Sequence, residues 1–233
     1  MPTTTVLFDL FHTLTGLESQ WCELPFTYAV LGVDRKAWDR LITTGSRWRL
    51  AGEERDPRCI LARLAREIDP AISDAVIEEA AQIRSGRFRG AMQRIPPENV
   101  ETLKRLRGAG YSLGLISNAD CSEIAFWKES PLAGLFDAEV FSCEAGCVKP
   151  EPQIYHKCLE ALGRRPEECI FIGDGGSNEL AAARQIGMRT VFISGVLGEL
   201  WPEKVAERME VADHHITWIP ELLPLLGVAS QPA

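Results

Sequence analysis

Two aspartates stand directly after short apolar runs and are the first candidates for chemistry. Asp9 follows Val6-Leu7-Phe8, and Asp174 follows the run 170–173. Short apolar runs are typical of buried strands, and in open parallel sheets ligands bind beyond the carboxyl ends of the strands. Carboxylate oxygens suit Mg²⁺, which prefers octahedral oxygen coordination. The pattern therefore predicts that Asp9 and Asp174 face a magnesium ion, with the nearby Glu179 as a further ligand.

A hydroxyl, an amide and an amine lie in two other segments that would reach the same edge of a sheet. Ser117 and Asn118 follow the apolar run 113–116, and such groups hydrogen-bond to phosphate oxygens. A Ser-Asn pair is also common in turns, so turn formation is the alternative. Lys149 lies in a rigid, proline-rich stretch before a predicted helix. Its charge would neutralise repulsion between the carboxylates and an anionic substrate.

A sheet must position these side chains, and the apolar runs supply its strands. Helical apolar spacing occupies the segments 100–109, 154–162 and 180–186, and a glycine follows each of them. Alternation of strands and helices predicts an α/β fold with a Rossmann-like parallel sheet, helices on both faces and a ligand at the carboxyl ends of the strands. The predicted strands are 5–10, 111–117, 138–142, 169–173, 190–194 and 215–218.

Residues 16–95 separate the first strand from the others and lack strand alternation. We expect them to form an inserted helical cap domain, and residues 1–15 and 96–233 to form the catalytic core. Pro96 and Pro97 suit a linker, because proline restricts the preceding residue to extended conformations. Trp21 and Trp38 are expected to pack inside the cap.

Four arginines in this insert gather around Trp48 and Gly52. They would form either a surface that binds an anion above the site or, as is more common for such a pattern, solvated helix faces. If the insert closes over the site, it would exclude water and determine specificity. The four residues are Arg47, Arg49, Arg55 and Arg58.

Charge and composition narrow the range of partners. The 233 residues carry a formal net charge of -8, and the pI is near 5.2. This argues against nucleic acid as a partner, because that binding requires clustered Lys and Arg. No segment predicts a membrane span or a signal peptide. Seven cysteines without a paired CxxC spacing indicate reduced thiols, so we expect a cytoplasmic protein with a small, charged substrate.

Four motifs follow one another at the ends of predicted strands, and they contain Asp9, Ser117, Lys149 and Asp174 respectively. Together and in this order, they resemble the haloacid dehalogenase-like hydrolase superfamily. The resemblance extends from Asp9 to about Thr190. It implies that Asp9 is a nucleophile, that Thr13 and Ser117 position the transferred group, and that Lys149 stabilises it. The implied activity is magnesium-dependent hydrolysis of a small phosphorylated metabolite through an aspartyl-phosphate.

The same resemblance implies the ligands of the metal. Asp174 would bind Mg²⁺ together with Asp9 and the backbone carbonyl of Phe11, while Asn178 or Glu179 would act through water. Glu179 has an alternative explanation, because acidic side chains are also favoured in the first turn of a helix.

Phe11 departs from the pattern that the resemblance predicts. Most phosphatases of this superfamily have a second Asp at this position, which protonates the leaving group. A phenyl ring cannot transfer protons, and general acid–base catalysis is typically worth about 10²–10⁴-fold in rate. We therefore expect a preference for activated phosphates, such as acyl or aryl esters, unless His12 or a residue of the insert supplies the proton.

Two other functions remain open at this stage. Haloacid dehalogenases of the family also lack the second Asp, so Phe11 is compatible with metal-independent dehalogenation. Asp174 argues against that activity, because without a cation it would repel Asp9 and a carboxylate substrate. The other alternative is a protein that binds a phosphorylated ligand but turns it over slowly or not at all.

Overall fold

The computed structural model describes residues 3–229, so the ends of the expected core, 1–2 and 230–233, lie outside the described residues. The described residues form six strands: β1 (Thr5–Phe8), β2 (Ser112–Ser117), β3 (Ala138–Phe141), β4 (Cys169–Gly173), β5 (Arg189–Ile193) and β6 (His214–Ile216). They also form thirteen α-helices: α1 (Glu18–Trp21), α2 (Thr27–Leu31), α3 (Arg35–Thr44), α4 (Arg47–Leu50), α5 (Pro57–Ile68), α6 (Asp74–Gln93), α7 (Pro97–Gly108), α8 (Ser142–Ala145), α9 (Pro152–Leu162), α10 (Glu179–Gln185), α11 (Gly195–Leu200), α12 (Val205–Val211) and α13 (Leu222–Leu225).

The strands form one parallel sheet in the order β3-β2-β1-β4-β5-β6. Strand β1 is central, and its Phe8 pairs with Leu115 of β2 on one side and Ile172 of β4 on the other. The backbone N–H of Asp9 continues this pairing by donating to the carbonyl of Ile172 at 2.9 Å. The predicted α/β class with a Rossmann-like parallel sheet is confirmed. The residues that follow β1, β2 and β4 consequently meet at one edge.

Successive side chains of β1 point to opposite faces of the sheet and are apolar on both. Both faces are therefore covered by helices. Val6 and Phe8 belong to the hydrophobic cluster that α7 and α13 cover. Leu7 belongs to the opposite cluster, which α9 and α10 cover. Strands β1 and β4 are therefore buried throughout, as their uninterrupted apolar runs predict.

Five of the six predicted strands differ from the structure by one or two residues at one end or both. Strand β2 begins at 112 and β3 ends at 141, while β5 covers 189–193 and β6 covers 214–216. Strand β1 stops at Phe8 because the chain turns after Asp9, where Leu10 accepts hydrogen bonds from Leu14 and Thr15. The crossover from β2 to β3 has a 3₁₀ turn at Trp127–Glu129 and no α-helix among its described residues. The run 169–173, by contrast, coincides with β4.

Residues 16–95 contain the helices α1 to α6, and several of these have a side-chain cap that explains where they begin. Asp34, Asp56 and Ser73 each accept a hydrogen bond from a backbone N–H in the first turn of the helix that follows. The hydrophobic cluster of this segment includes Trp38, as predicted. Trp21 instead packs in the cluster that continues into the sheet. No helix among the described residues has the length and apolar character needed to cross a bilayer.

Helix α6 approaches α1 at a glycine, which provides a test of this packing. A Cβ placed on Gly90 would lie 2.3 Å from the carbonyl oxygen of Trp21. We expect Gly90→Ala to lower the free energy of unfolding by roughly 1–3 kcal/mol, because overpacking against backbone outweighs the helix propensity that alanine gains. Urea unfolding measures the change.

Gly108→Ala is the matched control, because nothing lies within 4 Å of a Cβ at that helical position. We expect this substitution to be neutral or stabilising by about 0.5–1 kcal/mol. Equal effects of the two substitutions would contradict the close approach of α6 to the backbone of Trp21.

Candidate active site

Asp9 lies at the centre of the group of polar residues, and both of its carboxylate oxygens have partners. The hydroxyl of Thr13 donates to Oδ2 at 2.9 Å, and the ammonium of Lys149 donates to Oδ1. The carboxylate is buried. These two contacts fix the rotation of the carboxylate, which a nucleophile needs in order to meet a substrate in one orientation.

Lys149 joins two carboxylates, because its Nζ also lies 2.6 Å from Oε2 of Glu179. The side chain of Asn118 positions the backbone of Lys149. Its Nδ2 donates to the Lys149 carbonyl at 2.9 Å, and its Oδ1 accepts from the Lys149 N–H at 2.7 Å. Asn118 was predicted to bind substrate, and its geometry adds the role of connecting the end of β2 to the lysine.

Asp174 completes the acidic group at the end of β4. One ligand oxygen from each of Asp9, Asp174 and Glu179 lies within 4.8 Å of the others. The N–H of Gly176 donates to Asp174 at 2.8 Å, and Nη1 of Arg208 lies 3.2 Å from its Oδ2. Three hard oxygen donors at such separations match the ligand chemistry that Mg²⁺ prefers, so the residues present fit this metal.

The pKa values of this group reflect its burial. Burial raises the pKa of Asp9, an effect that Lys149 opposes and Asp174 reinforces. Burial likewise raises the pKa of Glu179, again against the effect of Lys149. The pKa of Lys149 is raised above its usual range, because Asp9 and Glu179 outweigh the cost of burying the ammonium. A cation among these carboxylates would favour their ionised forms.

His12 borders the acidic group at a strained position of the loop, with a φ of 61°. Its Nδ1 lies 4.0 Å from Oδ2 of Asp174, and its Nε2 lies 3.7 Å from Oε1 of Glu18. Burial lowers the pKa of His12, but Glu18 and Asp174 outweigh burial and raise it above its usual value. Both ring nitrogens therefore face carboxylates.

The remaining predicted residues differ in accessibility. The hydroxyl of Ser117 is fully buried and has no hydrogen-bond partner among the described residues. Glu179 is only 1% exposed and begins α10, so it both occupies a first helical turn and approaches Asp9 and Asp174. Asn178 is exposed just before that helix, outside the three-carboxylate group.

A cavity of about 750 Å³ lies between the segment 16–95 and the sheet edge. Asp9, Lys149 and Asp174 line it. Aromatic side chains, Phe11 among them, also line it, so a bound organic group would meet an apolar surface. The phenyl ring of Phe11 packs against Trp21 and Phe88.

Two arginines of the insert form a buried ion cluster with the loop after β2. Arg49 Nη1 lies 2.7 Å from Asp120 and 2.8 Å from Glu123, and Arg84 Nη2 lies 3.2 Å and 2.5 Å from the same two carboxylates. Burial opposes ionisation, but the charges of Arg84 and Arg49 outweigh it and lower the pKa of Asp120 to about 2. The cluster connects the insert to the strand that carries Ser117.

The four arginines singled out in the sequence therefore do not form one surface. Arg49 lines the cavity, whereas Arg47, Arg55 and Arg58 are exposed. Arg47 pairs with Glu151, and Arg58 pairs with Glu78. Solvated helix faces, the more common explanation, describe Arg47 on α4 and Arg58 on α5. Arg55 lies in the loop between these helices, and its Nη2 donates to the carbonyl of Cys143 at 3.1 Å. Of the four, Arg49 alone lines the cavity.

Sequence reasoning missed Arg208, Asp120 and Glu123. Arg208 is a lone arginine in α12, and no motif around it in the sequence indicates a functional role. Asp120 and Glu123 have the spacing of a capping box, and their side chains do accept from each other's backbone N–H groups. That motif was a recognisable signal, although it predicts a helix start and gives no indication of the arginines 71 and 36 residues away.

The fold and the motifs define a hydrolase class, and comparison with known proteins identifies it. The sequence model of the family described as haloacid dehalogenase-like hydrolase matches residues 3–187, which is most of the chain. The chain belongs to this family, as the resemblance in the sequence implied.

Particular relatives differ in the activity that their names state. The chain is 35% identical over 130 residues to glyceraldehyde 3-phosphate phosphatase of Pyrococcus furiosus, a match that covers 54% of this chain and 52% of the relative. The chain thus spans about half the length of this curated relative. Two solved structures share the fold. One is an L-2-haloacid dehalogenase, with a TM-score of 0.71 and 22% identity, and the match covers 97% of this chain and 100% of that one. The other is a phosphatase of the family from Thermococcus onnurineus, with a TM-score of 0.62 and 23% identity, and the match covers 97% of this chain and 98% of that one.

The buried ion cluster generates a prediction about acid stability. The folded-state pKa of Asp120 is below its ordinary value of 3.8, so its ionised form contributes stability that is present above pH 3.8 and lost as the pH falls through about 2. We expect Asp120→Asn to destabilise the protein by about 3–5 kcal/mol at pH 7, because it leaves the buried arginines undercompensated. The difference from wild type should be about 1 kcal/mol smaller at pH 3.

Urea unfolding at both pH values measures these differences. Glu101→Gln, an exposed carboxylate on α7, is the control and should change stability little at either pH. A difference between wild type and Asp120→Asn that stays constant between pH 7 and pH 3 would show that the charge of Asp120 does not stabilise the folded state.

Proposed function

We propose that this protein is a magnesium-dependent phosphohydrolase that acts on a small phosphorylated metabolite through an aspartyl-phosphate on Asp9. The observation that carries the proposal is the contact of Lys149 with both Asp9 and Glu179 beside Asp174. A carboxylate nucleophile facing an anionic phosphate needs such compensation of charge. The phosphatase from Pyrococcus furiosus among its relatives supports the same activity.

In the proposed reaction, an oxygen of Asp9 attacks phosphorus and the ester oxygen leaves. Thr13 orients Asp9, while Lys149, Ser117 and Asn118 bind the phosphoryl oxygens as charge develops on them. Water then attacks the aspartyl-phosphate and regenerates Asp9. Magnesium, when bound, would supply electrostatic shielding between the carboxylates and the phosphate.

The proposed ligands of the metal are those that the sequence implied. Asp9 and Asp174 would contribute carboxylate oxygens, and Phe11 would contribute its backbone carbonyl. Glu179 or Asn178 would act through a coordinated water.

The segment 16–95 is proposed to act as a cap domain over the core formed by 1–15 and 96–233. Its own hydrophobic cluster and its position across the cavity support this role. A cytoplasmic location is consistent with the seven cysteines, all of which are free thiols.

Dehalogenation is the second candidate, and Phe11 is the observation that favours it. A short haloacid would find an apolar surface at Phe11 and a carboxylate nucleophile at Asp9. The buried Asp174 argues against it, because a carboxylate substrate would increase the uncompensated negative charge. A slow phosphoryl-binding protein is the remaining alternative, since Phe11 supplies no proton to a leaving group.

Hydrolysis of a small panel of phosphates tests the proposed function. The panel contains acetyl phosphate, p-nitrophenyl phosphate and glyceraldehyde 3-phosphate, each with magnesium and with chelator. We expect magnesium-dependent release of phosphate, fastest from the first two compounds, because their leaving groups depart without protonation. Asp9→Asn should reduce the rate by at least about 10³-fold, because it removes the nucleophile.

The outcomes separate the three functions. Turnover that disappears with chelator and with Asp9→Asn supports the phosphohydrolase. Halide release from a 2-haloacid that is insensitive to chelator would instead establish the dehalogenase. An aspartyl-phosphate that forms but does not turn over would identify the slow phosphoryl-binding protein.

A second prediction tests the consequence of Phe11. Phe11→Asp places a carboxyl group two residues after the nucleophile, where it can protonate a leaving group. We expect the rate on glyceraldehyde 3-phosphate to rise relative to acetyl phosphate by about 10-fold or more, since acid catalysis helps a poor leaving group most.

Phe11→Leu is the control, because it removes the ring without adding a proton donor. The ratio of the two rates should then remain that of the wild type, even if both rates fall. An unchanged ratio in Phe11→Asp would indicate that His12 or another residue already supplies the proton.

A further inference from the structure

Three aromatic side chains form an apolar surface beside the nucleophile, and we name them the aromatic wall: Phe11, Trp21 and Phe88. Their ring centroids lie 5.9 Å (Phe11 to Trp21), 5.7 Å (Phe11 to Phe88) and 5.4 Å (Trp21 to Phe88) apart. All three line the cavity that Asp9 lines. Because Phe11 is two residues after Asp9, the loop that positions the nucleophile also positions part of the wall.

Two of the arginines beside the aromatic wall, Arg49 and Arg84, are neutralised by carboxylates of the protein. Arg84 and Arg49 face Asp120 and Glu123, so this four-residue cluster has no net charge. The guanidinium of Arg84 also lies over the ring of Phe88, 4.6 Å from its centroid. Arg87 also lines the cavity, but its guanidinium donates to the backbone carbonyls of Leu24 and Glu18. A second anionic group on the substrate would therefore find no net positive charge at the four-residue cluster, and its burial there would be costly.

One polar atom at this surface lacks a partner. The Nε of Arg84 is buried and has no hydrogen-bond partner among the described residues, although its Nη2 contacts both carboxylates. Arg84 lines the cavity. A buried N–H without an acceptor is unfavourable, so an uncharged acceptor on a bound ligand would be stabilised at this position.

We propose that the substrates are aryl phosphate monoesters, whose uncharged ring packs on the aromatic wall and can offer an acceptor to Arg84. This inference rests on the proposed function and specifies its substrate class. Asp9 attacks phosphorus, the bond between phosphorus and the aryl oxygen breaks, and its electron pair leaves with the aryloxide, which takes a proton from water. Aryloxides are stabilised by the ring, so the absence of a carboxyl group at Phe11 is compatible with this step.

Binding of phosphonates tests recognition separately from the chemistry. Benzylphosphonate has the shape of phenyl phosphate but cannot be hydrolysed, methylphosphonate lacks the ring, and phosphonoacetate carries a second anion. Titration calorimetry in magnesium buffer gives the three dissociation constants. We expect benzylphosphonate to bind about 10- to 100-fold more tightly than methylphosphonate, because it buries a phenyl ring. Phosphonoacetate should bind no more tightly than methylphosphonate.

Two matched substitutions identify the surface that binds the ring. Phe88 and Phe136 are both 9% exposed and belong to the same hydrophobic cluster, but only Phe88 lines the cavity. We expect Phe88→Leu to reduce the preference for benzylphosphonate over methylphosphonate by about 3- to 10-fold, because aromatic pairs add to simple area burial. Phe136→Leu should leave this ratio unchanged. The ratio is insensitive to partial loss of folded protein, since both ligands bind the same fraction.

Three results would overturn the inference: equal binding of benzylphosphonate and methylphosphonate, tighter binding of phosphonoacetate, or an equal loss of preference in the Phe136→Leu variant. Hydrolysis of acetyl phosphate by the same samples separates this inference from the proposed function. Turnover without a preference for the ring rejects the aryl substrates and retains the phosphohydrolase. A preference for the ring without turnover supports the aromatic recognition and rejects the hydrolysis.

Discussion

Asp9, Asp174 and Glu179 bring three buried carboxylates within 4.8 Å of one another, and like charges at such distances destabilise a fold unless cations lie among them. Lys149 contacts Asp9 and Glu179, and Arg208 contacts Asp174. The arrangement leaves one more acidic group than basic groups, which is the condition that favours a divalent cation. The same imbalance suits the proposed catalysis, because a cation bound there would be adjacent to Asp9, the proposed nucleophile.

The sheet makes this concentration of charge possible. Since β1 lies between β2 and β4, the chain places Asp9, Asn118 and Asp174 at one edge without any long loop. Lys149 comes from outside these strands, and Asn118 fixes its backbone through two hydrogen bonds. The position of the lysine therefore depends on the end of β2. A change at Asn118 would alter the charge balance around Asp9 without touching Asp9 itself.

The strand-end residues could be predicted because their signal is local: an apolar run followed by a polar side chain, as at Asp174 after β4. The sequence also indicated the helical insert between the first and second strands. The ion cluster could not be predicted in the same way. It brings Arg49 and Arg84 to Asp120, and nothing in the neighbourhood of each residue specifies such a distant partner. The end of β1 at Phe8 is likewise a tertiary effect, because the turn that carries Asp9 begins there.

Phe11 connects the chemistry to the placement of the insert. Its backbone belongs to the loop that carries Asp9, while its ring packs on Trp21 and Phe88 from helices of the insert. Aromatic packing favours association of the two parts. Within the buried ion cluster, the cost of desolvating the charges offsets much of their attraction, so breaking the cluster costs more than the intact cluster contributes. Two kinds of contact thus act in different ways on the interface between the insert and the core: the aromatic contacts, and the ion cluster of Arg49, Arg84, Asp120 and Glu123. Under the proposed function, a phenylalanine at this position therefore affects two properties together: the leaving groups that the site can accept and the surface against which they pack.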